Sequence, residues 1–221
     1  MRHICFSLLL VILSIVQLPA QNNNFSTYYN QRLTLFEKLP DTPNEIIMLG
    51  NSITDGCEWS ELFQNPNIKN RGISGDITEG VLYRLEEVTR SKPTKIFLMI
   101  GINDLAQDMY ADIVFQNICN IVSNITKASP STKVYIQSIL PVNPSFSKFS
   151  NHVCKTNEVI AINQKLNRWC AENSVEFIDL FHSFTEDKTN FLNPDFTNDG
   201  LHLTAKGYLK WAEIISFDIE K

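Results

Sequence analysis

The chain has 221 residues, 43% of them hydrophobic, with 24 acidic against 19 basic side chains and a net charge of −5 at pH 7. That length suffices for one domain with a substantial core. The acidic balance, without a cluster of Lys and Arg, argues against a nucleic-acid partner, because phosphate binding relies on such clusters. The four His are scattered and no C-x-x-C occurs, so a zinc site has no support.

The first twenty residues read as a secretory signal peptide. Arg2 and His3 make a short polar start, and Ile4 to Val16 is almost wholly apolar. Gln17-Leu18-Pro19-Ala20 then supplies a turn and a small residue. The apolar run is short for a membrane span of ~20 residues, although an uncleaved N-terminal anchor is the competing reading. Cleavage near Ala20 would leave residues 21–221 as a single exported domain, periplasmic or extracellular. No second long apolar run follows, so no stable membrane span is expected after cleavage. Four Cys follow the leader: Cys57, Cys119, Cys154 and Cys170. Export would permit disulfides, but spacing does not choose a pairing. Cys119 and Cys170 sit in helical patterns and read equally well as buried thiols.

Beyond the leader, apolar strands alternate with amphipathic helices. Residues 28–39 predict a short helix. Strands are expected at Glu45–Leu49, Asn67–Asn70, Lys95–Ile100, Lys133–Leu140 and Val175–Leu180, most of them closed by Gly or Pro. Runs this apolar suit a parallel sheet covered on both faces. Val81, Leu85 and Val88 mark one helix face, and Phe115, Ile118, Val122 and Ile125 a second. Val159, Ile162, Leu166 and Trp169 mark a third. Ala205, Tyr208, Ala212 and Ile215 mark a fourth, with Thr204 as its N-cap. The alternation implies right-handed crossovers and a doubly wound α/β sandwich.

Ligands in such sheets bind beyond the carboxyl ends of the strands. Three polar turns stand there: Gly50-Asn51-Ser52, Gly72-Ile73-Ser74-Gly75-Asp76 and Gly101-Ile102-Asn103-Asp104. A fourth segment, Asp199-Gly200-Leu201-His202, precedes the last helix. Acyl transfer needs a hydroxyl, a base and fixed N–H donors for the oxyanion. Ser52 supplies the hydroxyl and its own N–H, His202 the base, and Asp199 a group to orient it. Gly75 offers a backbone N–H and Asn103 an amide. Taken singly, each of these residues reads as an ordinary turn or cap; their conjunction on one rim carries the chemistry.

The four blocks together resemble the SGNH hydrolases, also called GDSL-like lipases and esterases, from Glu45 to the C-terminus. The resemblance implies a three-layer α/β/α sandwich, flavodoxin-like, around a five-stranded parallel sheet. It implies Ser52, Asp199 and His202 as the catalytic triad. Ser52, Gly75 and Asn103 would form the oxyanion hole, with no metal or organic cofactor. Asn51 departs from the commoner Gly-Asp-Ser form. It is similar to the acetylhydrolase-like branch, which points to short acyl groups, such as acetyl on a carbohydrate. The substrate-binding residues are not fixed by the sequence. Phe146 and Phe149, Phe191 and Phe196, and Trp59 are candidates for an acyl pocket or sugar platform, or else core plugs.

The partner expected is thus a small-molecule or carbohydrate ester. A lysophospholipase or lipase, a thioesterase, and a silent carbohydrate-binding domain on the same fold are the alternatives. No Gly-x-Ser-x-Gly elbow, Gly-Lys-Ser/Thr loop or G-x-G-x-x-G occurs.

Overall fold

The structure, a computed structural model, describes residues 25–221. The leader expected at residues 1–20 lies outside the described residues. Five strands form one sheet: β1 (Ile46–Gly50), β2 (Ile68–Gly72), β3 (Lys95–Met99), β4 (Lys133–Gln137) and β5 (Glu176–Ile178). Their order is β2-β1-β3-β4-β5, and every neighbouring pair is parallel. The chain steps outward from β1 to β2, then returns past β1 to β3. The point of reversal lies between β1 and β3, where an open α/β sheet leaves a crevice for ligands.

The helices are α1 (Thr27–Phe36), α2 (Ser52–Asp55), α3 (Trp59–Leu62), α4 (Thr78–Tyr83), α5 (Leu85–Thr89), α6 (Ile102–Ala106), α7 (Ala111–Ala128), α8 (Ser150–Val153), α9 (Thr156–Asn173), α10 (Phe181–Phe184) and α11 (Ala205–Glu220). On one face of the sheet α4, α5 and α9 pack against α7. On the other, Trp59 of α3 meets Trp211 of α11 edge-on at 4.8 Å, as right-handed crossovers require. Residues Ile46–Leu49 and Ile96–Met99 are at most 6% exposed, so both faces of these strands are covered. The result is the expected three-layer α/β/α sandwich.

Four local expectations need correction. The helix expected through Val81 and Val88 is broken at Arg84, whose backbone (φ −102°, ψ 15°) leaves the helical region. Its guanidinium is drawn inward to Asp76 and to the carbonyls of Gly50 and Arg71. Strand β4 ends at Gln137 rather than Leu140. Beyond it, Asn163 of α9 takes both backbone groups of Ile139, each at 2.8 Å. The strand expected to run to Leu180 ends at Ile178, because the chain turns into α10 with Ser138 Oγ accepting the Phe181 N–H. In α11 the buried face is Gly207, Trp211, Ile215 and Ile219, not the face through Ala205 and Ala212. The bulk of Trp211, with its indole N–H on Gln137, sets that rotation. Thr204 stands at the N-cap, but its hydroxyl makes no cap bond.

Helix α1 begins on a Ser26 cap, whose Oγ accepts the Tyr29 N–H. Its Tyr29, Leu33 and Phe36 bury against Ile73, in the turn after β2. This second small cluster fixes the turn that carries Gly75. All four described Cys are unpaired; Cys154 is exposed and the others are buried. No helix among the described residues is long and apolar enough to cross a membrane. Nor do the described residues group three or more His, Cys, Asp or Glu as a metal site.

Candidate active site

Ser52 stands where β1 turns into α2. Asn51 leaves the strand and caps the helix, its Oδ1 accepting the Ile53 N–H at 3.0 Å. Ser52 is thus the first helical residue, whose N–H has no partner within the helix. Gly50 permits the tight exit: a Cβ there would lie 2.3 Å from Thr54 Oγ1 and 2.5 Å from the Met99 carbonyl.

Across the rim, the segment before α11 presents His202 to this serine. Ser52 Oγ lies 2.9 Å from His202 Nε2. His202 Nδ1 lies 2.9 Å from Asp199 Oδ2. The other carboxylate oxygen of Asp199 accepts the N–H groups of Leu201 and His202 at 2.9 and 2.8 Å. Burial alone would raise the Asp199 carboxyl. These N–H donors and the imidazole outweigh it and hold Asp199 below the ordinary carboxylate range. Gly200 lets the turn close, at φ +86°. A hydroxyl, an imidazole and a carboxylate are therefore joined in one hydrogen-bonded chain. The carboxylate accepts from Nδ1–H, which leaves Nε2 as the acceptor for the serine proton.

The turn after β2 brings the next groups. Gly75 is exposed, at φ +82°. The carbonyl of the following Asp76 accepts from Asn103 Nδ2 at 2.8 Å. The buried Asp76 carboxylate binds Arg84 Nη2 and Nε at 2.9 and 3.1 Å. The same Nη2 donates to the carbonyls of Arg71 at 2.9 Å and Gly50 at 3.2 Å. One buried guanidinium thus ties together the ends of β1 and β2 and the turn bearing Gly75. A buried pair of this kind carries a desolvation cost, which its mutual attraction and the carbonyl acceptors on Nη2 offset. Asn103 opens α6 after β3 and is itself buried. Beside it, Asp104 accepts the N–H and hydroxyl of Thr78. Burial still pushes its carboxyl up to about 6.

The aromatic candidates divide. Trp59 is 1% exposed and packs on Trp211, with its N–H on the Thr54 carbonyl, so it is a core plug. Phe196 packs against Phe184 in the body. Phe191 lines a separate surface cleft with Pro144, Val153 and Cys154. Phe146 and Phe149 do flank the His202 turn. A Cβ on Gly200 would come within 2.8 Å of Phe146 Cβ. The Phe149 ring stands edge-on to His202, with centroids 5.0 Å apart.

Sequence reasoning missed two residues. Arg84 was a charged residue on a face otherwise marked by Val81, Leu85 and Val88, which is the signal that could have found it. His152 of α8 approaches Asn103, with Nε2 3.0 Å from Oδ1. Its only sequence signal was a His within a loop expected on the rim.

The family model of GDSL-like lipases and acylhydrolases matches residues 48–210, a span that contains Ser52, Gly75, Asn103, Asp199 and His202. Platelet-activating factor acetylhydrolase IB subunit alpha2 of Rattus norvegicus is 28% identical over 177 residues, 77% of this chain and 73% of that protein. The solved structure of a Streptococcus pneumonia protein, provisionally described as a platelet activating factor, superposes with a TM-score of 0.79 at 26% identity. It covers 87% of this chain and 92% of its own. A catalytic mutant of an acetylxylan esterase from Geobacillus stearothermophilus shares the fold, with a TM-score of 0.64 at 17% identity over 81% of this chain and 96% of its own. With the sandwich and the rim constellation, these matches assign the chain: it belongs to the GDSL-like lipase/acylhydrolase family and is a carboxylic ester hydrolase.

Proposed function

We propose that Ser52, His202 and Asp199 act as a catalytic triad that removes short acyl groups, acetyl first, from polar alcohols such as carbohydrates. The observation that carries the triad is the continuous hydrogen-bonded chain from Ser52 Oγ through His202 to Asp199. In this reading His202 Nε2 takes the Ser52 proton as Oγ attacks the ester carbonyl. Asp199 stabilises the imidazolium without taking its proton. The N–H groups of Ser52, Gly75 and Asn103 receive the oxyanion. Collapse expels the alcohol, which His202 protonates. Water, deprotonated by His202, then releases the acid from the acyl-serine.

A small acyl group is supported by the rat relative, which is an acetylhydrolase by name, and by Asn51 beside Ser52 in place of the commoner Asp. Phe146 and Phe149, set among Asn, Ser and Lys, favour an alcohol that both stacks and hydrogen-bonds. Export rests on the leader read in residues 1–20.

The test is kcat/KM for aryl esters of rising acyl length, followed by acetate release from acetylated sugars. The expected profile is highest at acetate and falls with each added carbon. A profile climbing toward octanoate overturns the short-acyl reading and favours a lipase. Failure on every acetylated sugar removes the carbohydrate half alone.

A further inference from the structure

His152 has no place in the chain of Ser52, His202 and Asp199, yet it is bonded to Asn103. Its Nε2 lies 3.0 Å from Asn103 Oδ1. The opposite side of the same amide is fixed by a different element, since Asn103 Nδ2 donates to the Asp76 carbonyl at 2.8 Å. A carbonyl has no proton to give. The nitrogen side of the amide must therefore face Asp76, and Oδ1 must face His152. His152 then donates through Nε2–H. The Asn103 nitrogen carries two protons, of which Asp76 uses one.

We propose that His152 is a positioning residue for ester hydrolysis: by holding Asn103 Oδ1 it locks the amide plane so that the second Nδ2–H stays aimed at the developing oxyanion. This rests on the reading of Asn103 as an oxyanion donor. The terminal torsion of Asn is broad and has no deep staggered wells. With one anchor, the amide can swing; with anchors on both sides, it is set before substrate arrives. A donor set in advance needs no reorganisation at the moment of reaction, which is what makes such donors effective.

His152 is itself held in place. Its ring stands edge-on to Phe149 at 5.7 Å, and Phe149 stands edge-on to His202 at 5.0 Å. One aromatic ring therefore spaces the two imidazoles. Burial first, and the nearby His202 second, push the His152 ring toward its neutral form. A neutral imidazole must choose a tautomer, and the bond to Asn103 Oδ1 selects Nε2–H.

The test measures kcat and KM on a short aryl ester with the whole protein. His152→Ala should lower kcat about tenfold, a fraction of the ~10²–10³ lost with an oxyanion donor, and leave KM within about twofold. His152→Gln, whose amide N–H₂ reaches the position of Nε2, should recover most of that loss. His152→Leu should not. In an Asn103→Ala background, removing His152 should cost no further rate, because nothing is left to position. Fully additive losses, or a Leu variant as fast as the Gln variant, overturn the proposal. If Asn103→Ala keeps wild-type kcat, the oxyanion reading fails and the positioning role with it. If Asn103→Ala is slow and His152→Ala is not, only the positioning role fails.

Discussion

Two Asp–His pairs in this protein share one local design. Asp179-Leu180-Phe181-His182 follows β5, and Asp199-Gly200-Leu201-His202 precedes α11. In both, the imidazole Nδ1 meets an Asp Oδ2, at 2.5 and 2.9 Å. In both, the His N–H donates to the other carboxylate oxygen, at 3.2 and 2.8 Å. Their surroundings differ. The His182 side chain is 78% exposed and His202 29%. Only His202 has a serine at its Nε2. An oriented imidazole is therefore cheap to build from three residues of spacing. What singles out one of the two is a partner 150 residues away in the chain, delivered by the end of β1.

The comparison is sharpest in activity. His202→Ala should lower kcat by about 10⁴-fold or more, as loss of a triad base does. His182→Ala should leave the steady-state rate on an aryl acetate unchanged. Equal losses from the two would dissolve the distinction.

A smaller effect is expected at the carboxylates. Asp199→Ala should lower kcat by less than His202→Ala, since in the proposed triad Asp199 orients and stabilises but takes no proton. Asp179→Ala should be silent in the same assay. An Asp199→Ala protein with wild-type kcat would show that the imidazole is oriented by other means.

The turns themselves differ. Gly200 sits at φ +86°, whereas its counterpart Leu180 has an ordinary helical backbone at φ −77°. Gly200→Ala should destabilise by at least about 1–2 kcal/mol from the left-handed backbone alone. The new methyl would also lie 2.7 Å from the Asn143 carbonyl. A thermal unfolding midpoint equal to wild type would contradict that strain.

The smallest expected effect is in pH dependence of stability. The folded-state pKa of Asp199 is depressed, so its ionisation stabilises the fold above the unfolded carboxyl value and not below its folded value. The urea midpoints of wild type and Asp199→Asn should differ at neutral pH and converge below about pH 4. For the exposed Asp179, the Asp179→Asn midpoint at neutral pH should stay close to wild type, because solvent screens surface pairs. Parallel curves for Asp199→Asn at all pH values would contradict the assigned shift.

Much of this molecule was legible because its strands are apolar runs closed by Gly or Pro. Ile46–Leu49 and Ile96–Met99 are buried on both faces, and such strands leave an unbroken hydrophobic signal. Turn residues at strand ends could be listed for the same reason, so Ser52, Gly75 and Asn103 were found at their places on the rim. Long-range side-chain capture was not legible. Arg84 breaks a helix whose apolar spacing runs straight through it, because Gly50, Arg71 and Asp76 claim its guanidinium. Asn163 ends β4 from α9. His152 reaches an amide 49 residues away. Trp59 read as a rim aromatic only because its distance along the chain from Ser52 says nothing of which way the ring points.

The proposed mechanism turns on Ser52 as the nucleophile, activated by His202. The most direct measurement is covalent labelling with a serine-directed fluorophosphonate, the modified peptide then being mapped by mass spectrometry. One phosphonylated residue is expected, Ser52, with labelling abolished in Ser52→Ala, strongly slowed in His202→Ala and unchanged in His182→Ala. Labelling of Ser52→Ala at the wild-type rate, or a modified residue elsewhere in the chain, would contradict it.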